Sequence, residues 1–271
     1  MMHVRPLVKR FVEQGASRLG YHVIPDWRMK AFEHAHHLRA LFDLLAIDTV
    51  LDVGANVGGY RHFLRTHVGF EGQVVSFEPV PDVYATLAAS AAADPAWRGM
   101  PMALGDSDGT LDINVTARST MSSFLTRDEQ RLADLGYQHL LRVTGVVRTE
   151  PVPVRRLDSV FAEAVGNRRD ARVFLKCDTQ GFDLKVIDGA AGCLSSIMAL
   201  QIELSIKPIY AGAPAYATVL QHMTDRGFDI TGIYPVRRDE LSRIVNFDCV
   251  MINSGHPIVR ALAEKIVIGR T

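Results

Sequence analysis

Apolar and polar positions along this chain change period repeatedly. Short apolar runs of strand length alternate with stretches where apolar residues recur every three or four positions, which is the signature of βαβ units stacked around a parallel sheet. DTVLDV predicts a first strand at Thr49–Val53, and a helix follows over Tyr60–Val68. A strand at Val74–Phe77 leads through the turn residues Pro79 and Pro81 into an alanine-rich helix over Asp82–Ala92, and Met100–Leu104 reads as the third strand. After the turn GDSDG, alternation over Leu111–Val115 predicts a half-exposed strand, then a serine-rich loop around Ser119–Ser123. From Thr126 to Pro153 the pattern weakens. Beyond it, strands are predicted at Val173–Cys177, Ala199–Leu204, Phe228–Tyr234 and Phe247–Ile252, with helices over Leu184–Leu194 and Tyr216–Arg226. That makes seven or eight strands. The connection PVRRDELSR is too short for a crossover helix, so the last two strands are expected to form an antiparallel hairpin at the sheet edge.

Bulk properties narrow the function classes. With 271 residues, 48% of them hydrophobic, the chain can bury a sizeable core. Thirty basic residues balance thirty acidic ones with no run of five like charges, so nucleic acid is not an expected partner. The apolar runs fall short of the ~18 residues a membrane span needs, and a cytoplasmic location is expected. Cys177, Cys193 and Cys249 form no CxxC pair, which argues against disulfides and zinc.

The stretch LDVGANVGGY carries the first chemistry. A glycine turn between a buried strand and a helix lets backbone approach a ligand closely. Ligands of open parallel sheets bind beyond the C-terminal strand ends, where an acid after the second strand can accept from ribose hydroxyls. Glu78, 24 residues beyond Gly54, has that position. A nicotinamide dinucleotide requires G-x-G-x-x-G, but Asn56 stands where the middle glycine belongs. S-adenosylmethionine carries a sulfonium and an ammonium and no phosphate, so Asp52 before the turn suits it electrostatically.

DVGANVGGY, FEP, ALGDSDGTLDI, TMSSF, RLDSV and LKCDTQGFDLKVIDGA, taken in order, resemble the successive motifs of the FkbM family of S-adenosylmethionine-dependent methyltransferases. The resemblance covers roughly residues 48 to 253. It implies the class I methyltransferase fold, a Rossmann-like α/β architecture whose seven-stranded, mostly parallel sheet has an antiparallel final strand. It also implies O-methylation of a hydroxyl on a sugar, glycolipid or related natural product. By the same resemblance Asp52, Gly54, Asn56 and Gly58 belong to the methionine end of the cofactor, Glu78 holds the ribose, Leu104 lines the adenine, and Asp106 accepts from its amino group. Asp106 reads equally well as a turn former. Where the family has D-x-E-G or D-x-Q-G, this chain has DTQG, so Gln180 leaves no second carboxylate there.

Methyl transfer needs positioning and, for a hydroxyl, a base. Asp178 and Glu203, both near C-terminal strand ends, are the candidates, and Glu203 is alternatively a buried acid paired with Lys176 or Lys207. A divalent cation would have the same two acids as ligands, though no spacing motif calls for one. His34 and His37 share a helical face without a third ligand. Residues 1–47 read as an N-terminal helical lead-in to a methyltransferase domain at 48–271. The lead-in's basic, apolar stretch within residues 1–30 packs on its own domain or a partner subunit, or else rests on a membrane surface. A homo-oligomer is compatible with it. A nicotinamide-dependent oxidoreductase and a non-catalytic nucleotide-binding module are the alternatives.

Overall fold

The computed structural model describes Arg18 and residues 26–134 and 145–268. The amphipathic stretch at residues 4–12 lies outside them. So do residues 135–144 of the weakly patterned region.

Ten strands occur among the described residues, in two sheets. Thr49–Val53 (β1), Gln73–Phe77 (β2), Trp97–Met100 (β3), Val173–Cys177 (β7), Ile197–Ser205 (β8), Phe228–Arg238 (β9) and Ile244–Asn253 (β10) make a seven-stranded sheet. Its order is β3-β2-β1-β7-β8-β10-β9. β10 is antiparallel to both its neighbours, so the expected hairpin exists, with the last strand inserted inside β9. Ala103–Leu104 (β4), Gly109–Thr116 (β5) and Val146–Arg155 (β6) make a three-stranded sheet in the order β4-β6-β5. The expected third strand at Met100–Leu104 is therefore two strands in two sheets. Pro101, which has no N–H to donate, stands at the break.

Helices cover both faces of the large sheet. Asp26–Leu45 (α1), Gly59–Phe63 (α2, continued by a π-helical turn at Leu64–Val68) and Pro81–Ala91 (α3) pack on one side. Leu38, Phe42, Leu64 and Leu87 meet Val50, Val74 and Phe174 there. Glu129–Asp134 (α4) lies between β5 and β6 in the chain. Leu157–Ala164 (α5), Asp183–Asp188 (α6) and Tyr216–Thr224 (α7) cover the opposite face, where Leu157, Val186 and Met223 meet Leu51, Leu175 and Leu200. Pro257–Ile268 (α8) returns to the α1 side through Val259. The expected helix over Leu184–Leu194 stops early, because Gly189 ends α6 after six residues.

Side chains alternate across a strand, so each strand presents every second residue to the α1 side. On that side the interior is apolar up to the level of Val50 and Phe174 and turns polar one row further on. Asp52, Lys176 and Gln201 stand in register across β1, β7 and β8. One row beyond, Glu203 faces Asp248 of β10. The α1 face thus delivers a polar rim at the C-terminal ends of the strands. No helix among the described residues is long and apolar enough to cross a membrane.

Candidate active site

Three hollows meet at the C-terminal edge of the sheet, and Asp178 lines all of them. The first, about 550 Å³, runs over the ends of β1 and β2 between Gly54, Asn56, Glu78, Leu104, Ile113 and Phe124. The second, about 810 Å³, extends over β8 past Gln180, Glu203, Tyr210 and Asn246. The third opens beneath Tyr60, Lys176, Gln201, Glu203 and Asp248.

Glu78 governs the first hollow. It is 5% exposed, and its two oxygens accept from the backbone N–H of Asn56 and of Val80, each at 2.9 Å. Burial raises its pKa to about 7 against the pull of these two donors, with Asp52 and Asp82 adding to the rise. Asn56 adopts a positive φ of 49° and accepts from the Ser119 hydroxyl at 3.3 Å. Gly54 has φ 78°, and a Cβ there would fall 2.0 Å from the Asp178 carbonyl oxygen. Only glycine permits that contact between the β1 and β7 loops.

A chain of polar contacts crosses from β3 to Asp178. The Trp97 indole N–H donates to Ser76 at 3.0 Å, and the Ser76 hydroxyl donates to Asp52 at 3.2 Å. Lys176 Nζ lies 3.3 Å from Asp52 and 3.4 Å from Asp178. Burial opposes the charge of Lys176, but Asp52, Asp178 and Asp248 outweigh it and hold the ammonium protonated. Its charge also stands 5.2 Å from the centre of the Tyr60 ring. Burial raises the carboxyl of Asp52, which is 0% exposed.

Glu203 accepts from the Asn246 amide, while Lys207 goes to Asp239 at 3.3 Å. The alternative reading, Glu203 paired with Lys176 or Lys207, is not what the structure shows, because both lysines are taken by aspartates. Burial, then Asp178 and Asp248, pushes Glu203 well above the usual carboxylate range. Asp248 rises to about 6, through burial first and Asp178 second. His34 and Tyr60 both hydrogen-bond Gln201 Oε1 at 3.0 Å, and the His34 ring stacks on Tyr234 at 4.4 Å. Burial lowers the His34 pKa to about 4, so it stands as a neutral packed side chain.

The structure brings Gly54, Asn56, Glu78, Leu104 and Asp178 together around one hollow, and Glu203 joins Asp178 in the other two. Three residues lie elsewhere. Asp52 is enclosed behind the glycine turn against Lys176. Gly58, with φ 91°, lies against the Trp97 ring, 2.4 Å from where its Cβ would be. Asp106 is exposed and bound to Lys185 at 2.6 Å. Lys176, Gln201 and Asp248 were not foreseen as site residues. Each is a polar residue with an apolar neighbour on either side in its strand, and that was the available signal. Among the described residues no group of three histidine, cysteine or carboxylate side chains is arranged to hold a metal ion.

The residues of the first hollow fit an adenosyl group. Apolar walls from Leu104, Ile113 and Phe124 suit a flat heteroaromatic ring, and Glu78 supplies the acceptor for a diol.

A family profile described as Methyltransferase FkbM domain matches residues 52–230. Among solved structures the chain is similar to the methyltransferase FkbM from Methylobacillus flagellatus KT, at 16% identity and a TM-score of 0.44, covering 75% of this chain and 43% of that one. It thus spans less than half the length of that relative. It is also similar to a SAM-dependent methyltransferase from Aquifex aeolicus, at 12% identity and a TM-score of 0.40, covering 84% of this chain and 94% of that one. A third is Aeropyrum pernix fibrillarin in complex with natively bound S-adenosyl-L-methionine, at 13% identity and a TM-score of 0.41, covering 82% and 76%. None of the curated proteins matches.

Proposed function

The chain belongs to the FkbM methyltransferase family, and from that premise we propose that it moves the methyl group of S-adenosylmethionine to a hydroxyl oxygen of a sugar, glycolipid or related natural product. The observation that carries this reading is the position of Asp178, which lines both the hollow around Glu78 and the hollow over β8. When bound, the cofactor supplies a methyl group already activated by its sulfonium. Glu78 would hold the ribose hydroxyls, Leu104, Ile113 and Phe124 would flank the adenine, and the Gly54–Asn56 backbone would lie along the methionine end.

The chain's own work is then positioning and proton transfer. The hollow lined by Glu203, Tyr210 and Asn246 receives the acceptor and leads its hydroxyl to Asp178. Asp178 accepts the hydroxyl proton as the oxygen attacks, a contribution of roughly 10²- to 10⁴-fold for a positioned base. Lys176 fixes that carboxylate from the sheet side. Glu203 and Asp248, both shifted toward the neutral acid, leave the pocket less negative than its composition suggests. The acceptor is a small molecule or glycan and not a nucleic acid. The reading includes no required metal, a cytoplasmic location, and contact of residues 1–30 with a partner subunit or a membrane surface.

Calorimetric titration with S-adenosylhomocysteine, using NAD(H) and NADP(H) as comparators and Glu78→Ala as site control, tests the cofactor. Binding of the thioether alone, lost in the variant, supports the reading and opens a screen of hydroxylated acceptors. Binding of a nicotinamide nucleotide with no response to S-adenosylhomocysteine overturns it.

A further inference from the structure

Gln180 is the residue that the resemblance left without a task. It lines both the adenosyl hollow and the hollow over β8. Its backbone sits at φ 55°, a conformation disfavoured for any residue but glycine, and the Ser123 hydroxyl holds its carbonyl at 3.0 Å. Its side-chain Nε2 donates to Asp178 Oδ1 at 2.9 Å. The single proton of the Tyr210 hydroxyl is shared between the Met121 carbonyl at 2.9 Å and Gln180 Oε1 at 3.2 Å. This pattern fixes which way the amide points, because a carboxylate only accepts and must face the NH₂. Asp178 is thus gripped on both oxygens, Oδ1 by the amide and Oδ2 by Lys176.

We infer that Gln180 is a positioning residue that supplies Asp178 with a neutral hydrogen-bond donor where four other carboxyl groups, those of Asp52, Asp183, Glu203 and Asp248, already bear on it. The groups that face Asp178 are Asp52 on β1, Lys176 and Cys177 on β7, Glu203 on β8, Asp248 on β10, Asp183 at the start of α6, and Tyr210 in the loop after β8. Lys176 is the one cation of that set, and it is already divided between two aspartates. A carboxylate at position 180 would lie against Asp178 Oδ1 at hydrogen-bond distance, where two carboxylates cannot both be charged. An amide gives the same reach and the donor without the charge. The catalytic purpose rests on the reading of Asp178 as proton acceptor; the grip itself does not.

The test needs neither acceptor nor cofactor. Protein labelled with ¹³C at aspartate carboxyl carbons is titrated by NMR, and the Asp178 signal is identified by its loss in Asp178→Asn. In Gln180→Glu the Asp178 signal should titrate about one to two pH units above its position in the unmodified protein, as a coupled pair. In Gln180→Met, which removes the donor and adds no charge, it should move upward by a smaller amount. Should Gln180→Glu fail to fold by near-ultraviolet circular dichroism, Gln180→Met carries the comparison. An Asp178 signal that titrates at the same pH in every folded variant overturns the proposal. Because S-adenosylhomocysteine is absent, this outcome is separate from failure of the methyltransferase reading.

Discussion

Glu78 and Asp178 stand at opposite ends of one cleft and are held by different means. Backbone N–H groups of Asn56 and Val80 occupy the two oxygens of Glu78. Side chains, Lys176 and Gln180, occupy those of Asp178. Backbone donors are set by the turns that carry them and do not change charge. Side-chain donors belong to a network in which Asp52, Glu203 and Asp248 all feel the charge of Asp178. The first end is therefore held by the fold of its turns, and the second by the charges and amide of its neighbours.

Replacing the reacting acid should separate the two ends most sharply. Asp178→Asn is expected to lower turnover roughly 10²- to 10⁴-fold while S-adenosylhomocysteine affinity stays within about threefold. Conversion of cofactor in the presence of an accepted hydroxyl compound, set beside calorimetry, checks both halves. Next in size is Lys176→Met. It leaves Asp52 buried without its cation and should destabilise the fold by about 3–5 kcal/mol in denaturant unfolding. Adding Asp52→Asn to that variant should recover part of the loss, and an unchanged midpoint in the single variant would contradict the network.

Glu78→Ala removes a charged acceptor for two hydroxyls and is expected to weaken S-adenosylhomocysteine about 10- to 100-fold. The smallest effect is one of pH. A diol donates to the carboxylate, and Glu78 is half protonated near pH 7. Binding should therefore weaken as pH falls through 7, by about tenfold from pH 8 to 6, because the proton must leave first. Titrations at several pH values decide this, and in Glu78→Gln the slope should vanish.

Legibility from sequence followed the same division. Strands β1 and β7 stand where the apolar runs put them, since both are buried along their whole length. The glycine turn and Glu78 are contiguous motifs and could be found as such. Strand β6 could not, because VVRTEPVPVR contains two prolines that argue against a strand. They are tolerated because Pro151 and Pro153 pair with β5 where β4 does not reach. The lysine–acid cluster was hidden for a different reason. It depends on the register between strands far apart in sequence, such as Asp248 opposite Glu203. Polar residues set among apolar ones in FLKC, LQIEL and NFDCV marked the candidates but not their meeting point.

The position of β10 has a consequence for biosynthesis. The strand leaves the ribosome after β8 and β9, yet it lies between them and carries Asn246 and Asp248. A nascent chain that has emerged only as far as β9 holds Glu78, Asp178 and Glu203 but must keep a strand-wide gap open. Translation thus separates formation of the donor hollow from completion of the acid cluster. Chains arrested before Ile244 should show rapid amide exchange along β8, and emergence of β10 should quench it.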